Sequence, residues 1–234
     1  MNDREKIFFD NLIIDVDDIP RAKRNLKSKG IEKHILIKER LMVYSESGKV
    51  KYSQIASIYR YDKRLRLTLY KFVSYLEEWY RSIILDNYYN DFNSLKPTKE
   101  LREKIKETNS LNNALELIDF WTLMVQIMKI PYQKRNGCRL PKNLQTNSIA
   151  LRELRNAVMH NKFLLLYRGF EECYPNNESN QKSTTLTSNI KNLINFLPKE
   201  VGEKCREEIN KCSEDRNTSG DTKWDLPDFI IINI

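Results

Sequence analysis

The clearest periodicity in the chain lies between residues 52 and 90, where Leu65, Leu69, Phe72, Leu76, Trp79 and Ile83 recur at steps of three and four. With 3.6 residues per turn, that spacing gathers one wide apolar stripe on one face of a helix. Asp62 stands just before the stripe and is expected to be its N-cap, with about six turns following. Residues 1 to 50 predict two or three short helices, one opened by Pro20 and closed by Gly30. After Pro97, "TKELREKIKETNS" is charged all round and expected to be exposed, whereas "LNNALELIDFWTLMVQIMKI" predicts a second core helix ended by Pro131. A further helix is predicted over 145–168. "TSNIKNLINFL" and "PKEVGEKCREEINKC" predict two short ones, and "EECYPNNESNQKSTTL" predicts a long polar loop before them. The apolar tail "WDLPDFIIINI" is expected to dock on its own domain or on a partner, since such a terminus is poorly solvated.

Six glycines and seven prolines in 234 residues disfavour sandwiches and barrels, which need many turns. The expectation is an all-α fold: one helical-bundle domain over 1–234. Within it, short N-terminal helices occupy 1–50, the bundle core 52–168, and C-terminal helices with the tail 170–234.

Charge and cysteines narrow the functional classes. Forty Lys and Arg against 32 Asp and Glu leave a formal charge of +8, which suits either a polyanionic partner or a solubility surplus. Cys138, Cys173, Cys205 and Cys212 form no CxxC pair, and neither histidine stands at a zinc-like spacing from them. No metal site and no cofactor are expected. No cleavable signal is read before "REKIFFDNLIIDVDD" and no apolar run is long enough to span a membrane, so a reducing cytoplasmic location is expected.

Two stretches carry candidate chemistry. In "PYQKRNGCRLPKNLQ", Lys134, Arg135, Arg139 and Lys142 lie close to Tyr132, a mixture that suits a nucleic-acid-facing loop: cations for phosphates and a ring for base stacking. The plainer reading is a solvated turn. The second stretch is "LRELRNAVMHNKFLLLY", residues 151–167. With Leu151 at zero and about 100° per residue, Leu154, Val158 and Leu165 make a core stripe. Arg155, Asn156 and His160 fall outside that stripe, with Arg152 and Glu153 on the same polar arc. Met159 and Phe163 fall there too, and large apolar groups on a polar arc suggest a face that meets another surface. His34, the other histidine, has no acidic, Cys or His neighbour at a useful spacing and reads as structural or solvated.

An Arg four to six residues before a His is common by chance; an Asn directly after the Arg makes it rarer. "LRELRNAVMHNKFLL" resembles the Arg-x4-6-His signature of HEPN ribonucleases. "IYRYDKRLRLTLYKFVSYLEEWYRSII" resembles a segment of their Abi-like branch, the abortive-infection proteins of the AbiD and AbiF type. Residues 1 to 50 lack the Asn-Tyr-Tyr-Arg-Leu segment found in many Abi-like proteins. The resemblance implies a metal-independent endoribonuclease acting as a homodimer in phage defence or as a toxin, with the signature helices meeting at the dimer interface and a small structured RNA as a possible companion. By position, Arg155, Asn156 and His160 would be the catalytic residues, Arg152 and the 132–142 loop would contact RNA, and Met159 and Phe163 would lie in the interface. The residue types agree with that chemistry. Attack of a ribose 2′-OH on the adjacent phosphate needs one group to take a proton and another to give one, and histidine can do either near neutrality. A non-catalytic RNA-binding module and a helical protein-interaction domain are the alternatives.

Overall fold

A computed structural model describes residues 3–89, 94–135, 137–138, 140, 144–166, 186–216 and 222–234. Arg139, Lys142 and Cys173, and almost all of the polar loop expected after 170, lie outside these residues. Ten α-helices and one two-residue strand pair are present among them, an all-α fold. They are divided between two compact units: the described parts of Met1–Arg66, Lys162–Arg168 and Ile209–Asn233, and the described parts of Leu67–Asn161 and Gly169–Glu208 with Ile234.

The first unit begins with α1 (Asp3–Phe9), α2 (Ile19–Lys29) and α3 (Ile31–Met42). Pro20 sits in the first turn of α2, and Gly30 ends it at φ 89°, a left-handed conformation that a side chain would strain. Leu12–Ile13 (β1) pairs in parallel with Val50–Lys51 (β2), an isolated ladder that local patterning gave no reason to expect. The core gathers Phe8, Leu26, Ile35, Ile37, Ile55, Ile58 and Phe163. Buried Lys38 turns its ammonium onto the carbonyls of Ile7 and Asp10 at the end of α1, which supplies the partners a buried cation needs.

His34 takes the structural reading. It is buried and stacks on Tyr59 at 5.2 Å, and its Nδ1 lies 2.8 Å from the Gly30 carbonyl. A carbonyl only accepts, so Nδ1 carries the hydrogen. Burial first, then the nearby Lys29 and Lys33, lower the His34 pKa, with the Gly30 bond opposing. The unfolded chain therefore binds a proton that the folded chain refuses. Stability contributed by neutral His34 is present above about pH 6.5 and lost as pH falls from there toward the lower folded value. Urea unfolding between pH 7.5 and 5 should show that loss in the wild type and a flatter profile in His34→Gln; parallel profiles would refute it.

The long helix α4 spans Tyr52–Tyr88, 37 residues, and starts ten residues before the expected N-cap. Its apolar stripe extends backward through Ile58, Ile55 and Tyr52, so nothing stops the helix at Asp62. Asp62 is instead fully buried in mid-helix. Its Oδ1 accepts from the backbone amides of Leu164 (2.7 Å) and Leu165 (3.1 Å), and its Oδ2 from Arg66 Nε (2.7 Å). It does cap free amides, but those of a short 3-10 turn, Leu164–Leu166. Tyr80, fully buried, takes the core place expected of Trp79, which is half-buried.

The tail docks on its own unit. Ile232 is buried and its amide donates to the Tyr61 hydroxyl (2.9 Å), whose pKa burial pushes up to about 12. Leu226 and Ile230 pack against the core, and Trp224 receives the guanidinium groups of Arg60 and Arg64 at 5.3 and 4.7 Å from its ring centre.

In the second unit, α5 (Lys99–Thr108) is less exposed than its charge suggested, because Leu101 is fully buried. The expected single helix before Pro131 is two, α6 (Leu111–Leu117) and α7 (Phe120–Lys129). Ile118 is extended and Asp119 caps α7 by accepting from the Thr122 amide at 2.7 Å, a local side-chain bond that competes with helix continuation. α8 (Leu144–Met159) packs on α7 and on α9 (Leu186–Phe196), and α10 (Lys199–Asn210) follows.

Candidate active site

α8 supplies the residues singled out from sequence. Leu151, Leu154, Ala157 and Val158 are buried along one face, as the helical wheel places the second and fourth of them. Arg152, Glu153, Arg155, Asn156 and Met159 are half-buried, and His160 is exposed. The helix is shorter than expected. It stops at Met159, His160 donates its amide to the Asn156 carbonyl (3.0 Å), and Asn161 turns left-handed at φ 53°. Asparagine tolerates that conformation better than most side chains.

That early stop corrects the interface expectation for Phe163. The wheel carried it onto the polar arc only by continuing a helix that has ended. Phe163 lies instead in the core of the first unit, 5.7 Å from the Tyr59 ring. Leu165, also beyond the helix, packs against the same core. Met159 remains half-buried on α8.

Arg155 is held by a residue that the sequence reading missed. Glu77, buried on α4, accepts from Arg155 Nε at 2.9 Å through one carboxylate oxygen and from Arg81 Nη2 at 3.3 Å through the other. Arg81 is further tied to the Leu115 carbonyl (3.1 Å). Two guanidinium groups thus bracket one carboxylate, and the trio keeps a net charge of +1. The Arg155 guanidinium also lies 5.8 Å from the centre of the Phe120 ring and 3.4 Å, by Nη1, from Asn156 Oδ1. With Nε committed to Glu77, the remaining donors of the planar fork are oriented rather than free to sample many rotamers. A signal for Glu77 existed: it is a carboxylate beside Leu76 on the apolar stripe, four residues before Arg81.

Asn156 accepts from Arg155 through its side-chain oxygen, and among the described residues the His160 imidazole makes no hydrogen bond. Of the RNA-facing candidates, Tyr132 is exposed and Lys134 lies over the Tyr88 ring at 4.9 Å. Arg152 lies over Trp121 at 5.1 Å and 3.7 Å from Glu153. Arg135 is half-buried and engaged with its own backbone. Its Nε donates to the Ile130 carbonyl (2.6 Å) and its Nη2 to that of Met128 (3.0 Å), satisfying acceptors that the end of α7 leaves open. Among the described residues, no group of three or more His, Cys, Asp or Glu is placed to hold a metal, and no helix is long and apolar enough to cross a membrane. No family model, curated protein or solved structure matches the chain.

Proposed function

We propose that the chain is a metal-independent endoribonuclease of HEPN type that cleaves RNA at a composite site made by two copies of α8. The observation that carries this reading is the pairing, at one helix end, of an oriented arginine with the more exposed of the chain's two histidines: Arg155 fixed by buried Glu77, and His160 facing solvent. In-line attack of the 2′-OH needs a base on one side of the phosphorus and an acid on the other. One chain offers one imidazole at this site, so a two-fold dimer supplies both. The Arg155 forks, one from each chain, stabilise the pentavalent phosphorane by charge-assisted hydrogen bonds. Asn156 steadies the Arg155 fork or holds a phosphate oxygen. Half-buried Met159 lies in the interface, and Tyr132, Lys134 and Arg152 meet the RNA backbone and bases. In the cell such an activity serves phage defence by abortive infection or acts as a toxin, with a small structured RNA as its restraint or guide.

One observation favours a second reading, a non-catalytic RNA-binding module: Glu77 already neutralises part of the Arg155 charge. The ends of the products separate the two. Purified protein incubated with RNA in EDTA should generate 2′,3′-cyclic phosphate ends. RNA that stays intact, but is bound with steep salt dependence, would establish the module instead.

A further inference from the structure

A cavity of about 230 Å³ opens in the first unit, lined by Arg21, Arg24 and Lys29 of α2, His34 of α3, Arg60 of α4 and Thr222 of the C-terminal segment. Among the described residues that line it, four are cations and none is a carboxylate. Asp18, outside the lining, pairs with Arg21 at 3.3 Å. Two of the guanidinium groups are held on one residue: Arg21 Nη1 donates to Thr222 Oγ1 (3.1 Å), and Arg60 Nη2 donates to the Thr222 carbonyl (2.7 Å). Arg24 and Lys29 are exposed at the edge. Cations fixed in a concavity focus a positive potential, and pre-ordered guanidinium forks match the geometry of phosphate oxygens.

Size and ring geometry restrict the ligand. At about 30 Å³ per water the cavity displaces roughly seven or eight waters, and it is smaller than the ~300 Å³ at which pockets for drug-sized molecules begin. A phosphate group fits within it. The Tyr59 ring, which also lines the cavity, is occupied, stacked on His34 at 5.2 Å with the Lys29 ammonium 5.3 Å from its centre, so it offers little to an incoming base. We infer that this cavity binds a terminal phosphate, the dianionic monoester group carried by the end of an RNA chain or met as free phosphate. An internal phosphodiester carries one charge and needs a way in and a way out for the strand. The inference stands apart from the cleavage reading, because the unit that carries the cavity contains neither Arg155 nor His160.

The test uses full-length protein carrying His160→Ala, so that bound RNA stays intact. Oligoribonucleotides of one sequence, with 5′-phosphate, 3′-phosphate or hydroxyl ends, are compared by fluorescence anisotropy, and inorganic phosphate is titrated alone by calorimetry. One phosphorylated end should bind about tenfold tighter than the hydroxyl form, and Arg24→Glu should erase the difference. Arg24 is exposed, so this variant is expected to fold as wild type does, which thermal unfolding checks. Binding of inorganic phosphate that Arg24→Glu abolishes would identify free phosphate as a source; discrimination between RNA ends without it would identify the RNA terminus. Equal affinity for all three oligonucleotides together with no phosphate binding would overturn the inference, as would end discrimination that survives Arg24→Glu. Loss of cleavage activity in the parent protein would leave these outcomes unchanged.

Discussion

His160→Ala is expected to lower RNA cleavage by about 10²–10⁴-fold, the range that a positioned acid or base contributes, while leaving thermal stability within about 0.5 kcal/mol of wild type, as for other exposed positions. His160 lies just past the end of α8, exposed, and its backbone rather than its ring makes the local hydrogen bond. Among the described residues no hydrogen bond depends on the imidazole, so thermal unfolding should separate lost activity from lost structure. Arg155→Ala is a less clean probe. It leaves Glu77 with Arg81 as its partner among the described residues and removes packing against Phe120, so some stability is lost with the activity. Subunit mixing tests the composite site. If acid and base come from different chains, a dimer of one wild-type and one His160→Ala chain is inactive. After exchange at equal amounts, activity should fall to about a quarter of the undiluted value, rather than the half expected if each chain worked alone. Cleavage by His160→Ala at the wild-type rate would end the assignment of this site.

Asp62→Ala is expected to cost about 3–5 kcal/mol of stability, the range for breaking a buried ion pair by removing one partner. Three bonds are lost together: those from the amides of Leu164 and Leu165 and that from Arg66, whose side chain is only 14% exposed. Each orphaned buried amide adds to the penalty. Burial raises the Asp62 pKa, while Arg66 and the two amides act against that rise. Asp62→Asn keeps Oδ1 as an acceptor for the two amides but sets an NH2 donor against Arg66 Nε–H, losing both the charge and that hydrogen bond, so it should cost less than Asp62→Ala, about 1.5–3 kcal/mol. Urea unfolding of the three proteins reads this as a falling midpoint at constant slope. A loss below about 1 kcal/mol in Asp62→Ala would mean that the turn at Leu164–Leu166 is held by other contacts.

The two predictions draw on different kinds of information. Arg155, Asn156 and His160 were legible because their spacing lies within one helix, and a helical wheel needs only neighbours in sequence. The N-terminal limits of α2, its glycine stop, the two C-terminal helices and most of the α4 stripe were legible for the same reason. The errors came where a local rule was carried past its reach. Phe163 was placed by extending α8 beyond a turn that Asn161 makes, and Asp62 was read as a cap for the helix in which it lies. Trp79 gave way to Tyr80 because the stripe on a 37-residue helix is wide enough for either to face inward, and packing chose between them.

By itself the sequence determined that this chain is helical, where most of its helices lie, and that an arginine, an asparagine and a histidine share the end of one of them, since propensity and periodicity act over a few residues. Only the tertiary structure decided which charges are fixed and by what. Asp62 finds its amides 102 residues away, and Glu77 finds Arg155 78 residues away. A buried charge is tolerable only where the chain returns with a partner, and that return is set by how apolar faces pack rather than by the residues beside it.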